Sequence, residues 1–138
     1  MEELADAQLV IDTDIVIDHL RQRTTTLREA VVNYECALTA ITLYELNAVP
    51  RLSERQRELL DQFRELVEVL PFDEAASQKA ADTWRTLNES GQLIGVPDIL
   101  IAGICLANEL PLLTRNVGHY GRVPGLELIS PDDLSPQT

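Results

Sequence analysis

Short runs of apolar residues alternate with longer amphipathic segments along most of this chain. Five short runs, each bounded by polar or turn-forming residues, predict β-strands: Gln8–Asp12, Cys36–Thr39, Val67–Pro71, Leu112–Thr114 and Leu126–Ile129. Strands that alternate with helices in this way are typical of an α/β fold. We therefore expect a central, mainly parallel sheet flanked by helices.

The segments between the strands show helical spacing of their apolar positions. Six helices are predicted: Thr13 to about Gln22, Thr25 to Tyr34, a short one from Thr42, Ser53 to Val67, Asp73 to Glu89, and Pro97 to Glu109. The last is apolar almost all round, so we expect it at the centre of the core. Residues 1–130 are expected to form one domain, followed by a loose tail over 131–138.

Composition narrows the class of protein. The chain has 138 residues, 45% of them apolar, which is enough for one globular core. It contains no apolar run of the roughly 18 to 20 residues that a membrane span requires, and its acidic start does not resemble a signal peptide. We expect a cytoplasmic protein that does not associate with membranes. Cys36 and Cys105 lie in apolar runs, and buried free thiols are expected.

The charge balance is strongly acidic, with 23 acidic against 11 basic residues and a net charge of -12. This argues against a broad basic surface for nucleic acid. A local positive groove is still compatible with the sequence, if Arg21, Arg23, Arg115 and Arg122 cluster. We also hypothesise that the acidity adapts the protein to high internal salt.

Asp12 ends the first predicted strand, and a helix starts directly after it. Binding sites in parallel sheets form at the carboxyl ends of strands, so this carboxylate is a candidate site residue. An equally good explanation is that Asp12 caps the helix. Asp14 either joins the same site or simply favours the start of that helix.

Glu45 and Asp98 also have two readings each. Thr42-x-x-Glu45 fits a capping box, but the segment around Glu45 is mostly apolar, where a glutamate needs a partner. Asp98 follows Pro97 in an ordinary helix opening, yet that helix is expected to point its start at the edge holding Asp12. Three converging acids would repel one another unless a cation neutralised them. Mg²⁺ or Mn²⁺ prefers such oxygen ligands.

The segment after the Leu112–Thr114 strand carries further polar candidates. Asn116 and Thr114 are able to orient water or phosphate by hydrogen bonds. Arg115 is interpreted as an ordinary loop residue rather than a phosphate ligand. His119 is either a general acid or base or, as we favour, a surface histidine. His19, midway along a predicted helix, is expected to be packed or solvated rather than a ligand.

Taken together, these segments resemble those of PIN-domain nucleases, and most closely the VapC-type toxins of toxin–antitoxin pairs. The resemblance runs from about Leu9 to Ile129 and rests on four segments in order: Val10-Ile-Asp-Thr-Asp14, Thr39-Ala-Ile-Thr-Leu-Tyr-Glu-Leu46, Pro97-Asp-Ile-Leu-Ile-Ala102, and Leu112 to Leu126. Each segment is short and weak alone, and the shared order and spacing give the signal its strength.

The resemblance implies a PIN-like fold and a Mg²⁺-dependent endoribonuclease that cleaves RNA phosphodiester bonds with a metal-activated water. It implies Asp12 and Asp98 as the main metal ligands and Glu45 as the third acid. A fourth acid is common in the family, where this chain has Asn116 or His119, so one or two metals remain possible. A VapB-like antitoxin and a homodimer are the implied partners.

Two alternatives remain at this point. The opening Leu9-Val-Ile-Asp-Thr-Asp14 also fits haloacid-dehalogenase-like phosphatases, which need a later lysine near the phosphate; the only lysine here is Lys79, inside an amphipathic helix. The other alternative is a PIN-like binding module without activity, which the missing fourth acid favours and the three retained acids oppose.

Overall fold

A computed structural model describes residues 8–134, in which five parallel strands form one sheet. The strands are β1 (Gln8–Ile11), β2 (Glu35–Thr39), β3 (Glu68–Leu70), β4 (Leu112–Leu113) and β5 (Leu128–Ile129). Their order across the sheet is β3-β2-β1-β4-β5, and every neighbouring pair is parallel. The expected α/β fold with a parallel sheet flanked by helices is confirmed.

Seven α-helices connect and cover the strands. They are α1 (Thr13–Leu20), α2 (Thr26–Asn33), α3 (Ala40–Asn47), α4 (Glu54–Arg64), α5 (Glu74–Glu89), α6 (Val96–Asn108) and α7 (Val117–Tyr120). No helix within residues 8–134 is both long and apolar enough to cross a membrane.

The sheet separates two apolar cores, because successive side chains of a strand point to opposite faces. Val10 of β1 belongs to the core beneath α5 and α6, whereas its neighbours Leu9 and Ile11 belong to the core beneath α1, α2 and α4. All three side chains are fully buried. Since β1 lies in the middle of the sheet, the residue that follows it, Asp12, emerges at the centre of the carboxyl edge.

Helix α6 lies in the core, as its almost wholly apolar sequence predicted. It packs closely along α5, and Gly103 is where the two helices come nearest: a Cβ there would stand 2.7 Å from the carbonyl oxygen of Ala76. The absent side chain therefore sets the distance between the helices. Because Asp98 lies in the first turn of α6, this packing also positions the carboxylate.

Three boundaries differ from those predicted. Helix α3 begins at Ala40 rather than Thr42, because the Thr39 hydroxyl caps it by accepting from the Thr42 backbone N–H at 3.0 Å. The predicted capping box between Thr42 and Glu45 is therefore wrong. Residues 117–120 form the short helix α7, where loop was expected.

The chain after β5 begins with structure rather than the expected loose tail. Pro131–Leu134 form a 3-10 helix, and Leu134 is partly buried against the core beneath α2. The predicted tail beyond Leu134 lies outside the described residues. Within them, Cys36 and Cys105 are buried free thiols, as expected, and burial raises the pKa of Cys36 to about 12.

Candidate active site

A pocket of about 380 Å³ opens at the carboxyl edge of the sheet, where β1, α1, α3, α6 and the residues after β4 meet. Four carboxylates and three arginines are among its lining residues: Asp12, Asp14, Glu45, Asp98, Arg21, Arg23 and Arg115. Asn116 also lines it. All four residues predicted for the site, Asp12, Glu45, Asp98 and Asn116, are therefore brought to one place.

Asp12 is the most firmly held of the four carboxylates. Its Oδ1 accepts the backbone N–H of Thr13 at 2.9 Å, so it does cap α1, and its Oδ2 accepts the buried Thr114 hydroxyl at 2.7 Å. The side chain is only 5% exposed. Capping and a site role were treated as alternatives in the sequence; the geometry combines them, because the cap fixes the carboxylate in one orientation.

Burial and neighbouring charge make the ionised form of Asp12 costly. Burial is the largest cause, and repulsion from Asp14 adds to it, so the pKa of Asp12 is raised to about 7. The hydrogen bonds from Thr114 and Thr13 act in the opposite direction but do not outweigh burial. A cation in this pocket would favour the ionised form.

Tyr120 joins Asp12 to Asp98, a contact that the sequence did not predict. Its hydroxyl lies 3.1 Å from Oδ1 of Asp98 and 3.3 Å from Oδ1 of Asp12, and its ring is fully buried. Burial and the two carboxylates raise the pKa of Tyr120, so it stays protonated and donates. The one available signal was an aromatic residue in an otherwise polar segment after β4.

Glu45 is anchored from the other side of the pocket. Its Oε1 accepts the Thr13 hydroxyl at 2.6 Å, and this hydroxyl also lies 3.0 Å from that of Thr42. Glu45 is half-buried. Its partner is thus a residue of α1 rather than the start of its own helix, and the contact ties α3 to the turn that carries Asp12.

Asp14, whose role the sequence left open, faces the same pocket. Its Oδ2 accepts the Arg115 backbone N–H at 3.2 Å, while its Oδ1 is buried and has no hydrogen-bond partner among the described residues. Burial raises the pKa of Asp14. An unpartnered buried carboxylate oxygen is costly, which fits a position that a cation occupies.

Arg115 is fixed in the pocket, contrary to its interpretation as an ordinary loop residue. Its Nε lies 2.8 Å from Oδ2 of Asp18, a buried carboxylate of α1 that sequence reasoning missed, and 3.9 Å from Oδ2 of Asp14. The guanidinium is half-exposed, so it is both anchored and accessible. This geometry supplies a positive group beside the carboxylates.

Asn116 and His119 interact with each other rather than with the acids. The Asn116 side-chain nitrogen lies 3.1 Å from Nδ1 of His119, and the backbone N–H of Asn116 donates to the Thr114 hydroxyl at 2.9 Å. His119 is exposed, as favoured from the sequence. His19 is half-buried near the other end of α1, outside the lining of this pocket.

The donors suit a hard divalent cation, although the side chains do not form a closed ligand set. Within residues 8–134, no three His, Cys, Asp or Glu side chains stand close enough together to hold a metal ion. The chemistry nevertheless fits: carboxylate oxygens are the preferred ligands of Mg²⁺, and Asp14 has one oxygen without a partner. Asp12 and Asp98, joined through one hydroxyl, are the best-placed pair.

Comparison with known proteins places this arrangement in a family. The model of the PIN domain family matches residues 9–124. Ribonuclease VapC1 of Methanocaldococcus jannaschii is 30% identical over 122 residues, covering 88% of this chain and 85% of the relative.

Solved structures show the same fold. VapBC-1 from nontypeable Haemophilus influenzae has a TM-score of 0.77 and 25% identity, over 91% of this chain and 98% of that chain. VapBC-5 from Mycobacterium tuberculosis, a member of the VapBC family of toxin–antitoxin systems, has a TM-score of 0.69 and 25% identity, over 90% and 98%.

Proposed function

Since this chain belongs to the PIN-domain family, in company with the VapC ribonucleases, we propose that it is a divalent-metal-dependent endoribonuclease, the toxin of a toxin–antitoxin pair. The observation that carries the proposal is the convergence of Asp12, Asp14, Glu45 and Asp98 in one pocket at the carboxyl edge of the sheet. The family match replaces the phosphatase alternative, and Lys79 lies on α5, outside the lining of this pocket.

Asp12 and Asp98 are the residues proposed to hold Mg²⁺ or Mn²⁺, with Glu45 as a third ligand. Asp14 joins this set because its Oδ1 is buried without a partner. When bound, such a cation supplies an activated water and neutralises charge on the phosphate. Asn116 lines the pocket, and its amide is positioned by His119, so its proposed role is to orient water or phosphate.

The protein's own part is to hold these groups and to present positive charge. Thr13, Thr114 and Tyr120 fix the carboxylates through hydrogen bonds, so little reorganisation is needed when the substrate binds. Arg115, anchored by Asp18, is placed to pair with a substrate phosphate. Such a pair offsets the repulsion between an RNA backbone and the acidic pocket.

Loss of a ligand carboxylate tests the proposal. Asp12→Asn and Asp98→Asn are each expected to lower RNA cleavage at least about 100-fold while the far-ultraviolet circular dichroism stays unchanged. Asp61→Asn, on the exposed face of α4, is the matched control and should retain full activity. Cleavage that is undiminished in either site variant, or that persists in excess EDTA, would contradict the proposal.

An inactive PIN-like binding module is the second candidate. The absence of a closed three-carboxylate ligand set within residues 8–134 favours it, as does Asn116 in place of a fourth acid. Calorimetric titration with Mn²⁺ separates the two candidates. The nuclease should bind the ion and lose that binding on Asp12→Asn, whereas an inactive module should bind weakly in both forms.

We propose a VapB-like antitoxin as the partner, supported by the VapBC proteins among the structural neighbours. An acidic chain with a carboxylate pocket suits a basic segment that carries an arginine. Co-purification from the native operon should recover such a protein. The homodimer and the cytoplasmic location expected from the sequence stay predictions, and light scattering of the purified chain would test the former.

A further inference from the structure

A second cavity, of about 190 Å³, lies at the far end of α1 and has the opposite character to the carboxylate pocket. We call it the arginine pocket, and its lining residues are His19, Gln22, Arg23, Thr24, Thr25, Arg28, Arg55 and Leu59. Three of these are arginines and none is acidic. In a protein of net charge -12, such a local reversal of charge is the feature to be explained.

The chain builds this pocket from the loop between α1 and α2. Gln22 adopts a positive φ of 56°, and the backbone N–H groups of Gln22 and Arg23 donate to His19 and Asp18 at 2.9 Å, which turns the chain directly after α1. Arg28 then lies in the first turn of α2, and Arg55 in the first turn of α4. Three separate segments thus deliver one guanidinium each.

The start of α2 adds hydrogen-bond donors to the same place. Its N-cap residue Thr25 makes no capping hydrogen bond with its side chain, because the hydroxyl donates to Oε2 of Glu29 at 3.1 Å. The first backbone N–H groups of α2 therefore have no side-chain acceptor from the cap. Such groups, at the positive end of a helix dipole, bind anions.

Nearby acids leave this positive character largely intact. Arg55 Nη1 lies 3.5 Å from Oε1 of Glu58, but both side chains are about 60% exposed, and ion pairs of this kind contribute little. His19 reports the local charge: burial first, then Arg28 and Arg55, lower its pKa. A bound anion would reverse the effect of the two arginines on that imidazole.

The arginine pocket adjoins the carboxylate pocket, because Arg23 lines both. Helix α1, which carries Asp14 at one end and His19 at the other, has eight residues and so spans about 12 Å. A few nucleotides of single-stranded RNA cover that distance. Arg21 also lines the carboxylate pocket, which makes the path between the two cavities cationic.

We propose that the arginine pocket binds a backbone phosphate of the RNA, a few nucleotides from the bond that the carboxylate pocket cleaves. This inference rests on the proposed function and assigns the substrate a direction along α1. A phosphate group is the ligand that arginines and helix N–H groups share. Binding through the backbone explains how so acidic a protein retains RNA without a broad basic face.

The test compares two double variants in an Asp98→Asn background, which keeps the RNA uncut. Arg28→Gln with Arg55→Gln removes two charges from the pocket, while Arg57→Gln with Arg85→Gln removes two exposed charges elsewhere. Fluorescence anisotropy of a labelled single-stranded RNA should show a Kd about tenfold or more weaker for the pocket variant alone. The slope of log K against log salt should fall by about 1.4 for two lost phosphate contacts.

Cleavage in the otherwise wild-type chain gives the second readout. The pocket variant is expected to raise KM and to leave kcat within about twofold, because the pocket positions RNA without touching the cleaved bond. Equal Kd, salt slope and KM in the pocket and control variants would overturn the inference. So would loss of antitoxin co-purification with RNA binding unchanged, or tight binding of inorganic phosphate that leaves RNA binding undisturbed.

Failure of the proposed function gives a different pattern. If the wild-type chain binds RNA through the arginine pocket but never cleaves it with Mg²⁺ or Mn²⁺, the nuclease assignment falls and the binding site stands. If the chain cleaves RNA and the pocket variant behaves as its control, only the binding site falls.

Discussion

At the scale of single residues, Asp12 determines how stability depends on pH. Its folded pKa, about 7, lies above the ordinary 3.8, so between these values the folded chain holds a proton that the unfolded chain has lost. Stability from this group is therefore full below about pH 4 and is lost as the pH rises through 7. The carboxylate is kept in an unfavourable place, as expected of a functional residue.

The pH dependence can be isolated with Asp12→Asn. In EDTA, the melting temperature of the wild type should fall relative to that of Asp12→Asn by several degrees between pH 5 and pH 8. Saturating Mn²⁺ should reduce the difference, since a cation stabilises the ionised carboxylate. Parallel curves for the two proteins in EDTA would show that Asp12 titrates in its ordinary range.

Tyr120 is a positioning residue by its contacts. Tyr120→Phe removes the hydroxyl shared by Asp12 and Asp98 and is expected to cost about 1 kcal/mol of stability and about 10-fold in Mn²⁺ affinity. Tyr44→Phe, at a tyrosine that is 69% exposed on α3, is the matched control. Differential scanning and calorimetric titration measure the two effects. A stability loss without any change in metal affinity would leave Tyr120 a purely structural role.

At the scale of elements, the packing of α5 against α6 positions Asp98. Gly103→Ala would place a Cβ 2.7 Å from a backbone oxygen of α5 and 2.8 Å from Cβ of Ala80, so we expect it to destabilise the fold by about 1 to 3 kcal/mol. Gly118→Ala, in α7, has nothing within 4 Å and should be close to neutral. Urea denaturation of both variants measures this, and an equal effect would refute the close approach.

The sequence predicted the elements better than the contacts between them. Apolar runs and helical spacing identified all five strands and six of the helices, because burial against a sheet imposes those periods. Helix α7 was missed because its four residues are too few to show a period. The start of α3 was misplaced because Thr39 and Thr42 are both good caps, and only the structure shows which one accepts the hydrogen bond.

The site was predicted in its members but not in its wiring. Asp12, Glu45, Asp98 and Asn116 were found from strand ends, helix starts and family spacing. Asp18, Tyr120 and the anchoring of Arg115 depend on contacts between residues about 20 to 110 positions apart, which no local pattern encodes. The third acid's partner, Thr13, was hidden for the same reason.

At the scale of the whole molecule, net charge dominates. A charge of -12 on 138 residues repels itself in the compact state, so added salt should stabilise the fold by screening. We expect the melting temperature to rise by several degrees between 0.1 M and 2 M KCl. NaCl at the same concentrations is the control for ion identity. A melting temperature that stays flat or falls would count against adaptation to high internal salt.

The same acidity gives the two pockets their division of work. The carboxylate pocket concentrates negative charge where a cation is proposed, and the arginine pocket supplies the positive charge that the rest of the surface lacks. An RNA backbone that crosses α1 would therefore meet a cation at one end and guanidinium groups at the other. Whole-molecule charge would then favour substrates that reach both pockets at once.

The chemistry of the cut ends tests the central claim, cleavage by a metal-activated water at the carboxylate pocket, most directly. Purified wild-type protein is incubated with RNA and Mn²⁺, and the fragments are analysed by mass spectrometry, with Asp98→Asn as the blank. Attack by water predicts fragments that end in a phosphate and a hydroxyl, with no cyclic intermediate. Fragments ending in 2′,3′-cyclic phosphate, formed equally well in EDTA, would mean that the RNA's own 2′-hydroxyl is the nucleophile, and would contradict the account.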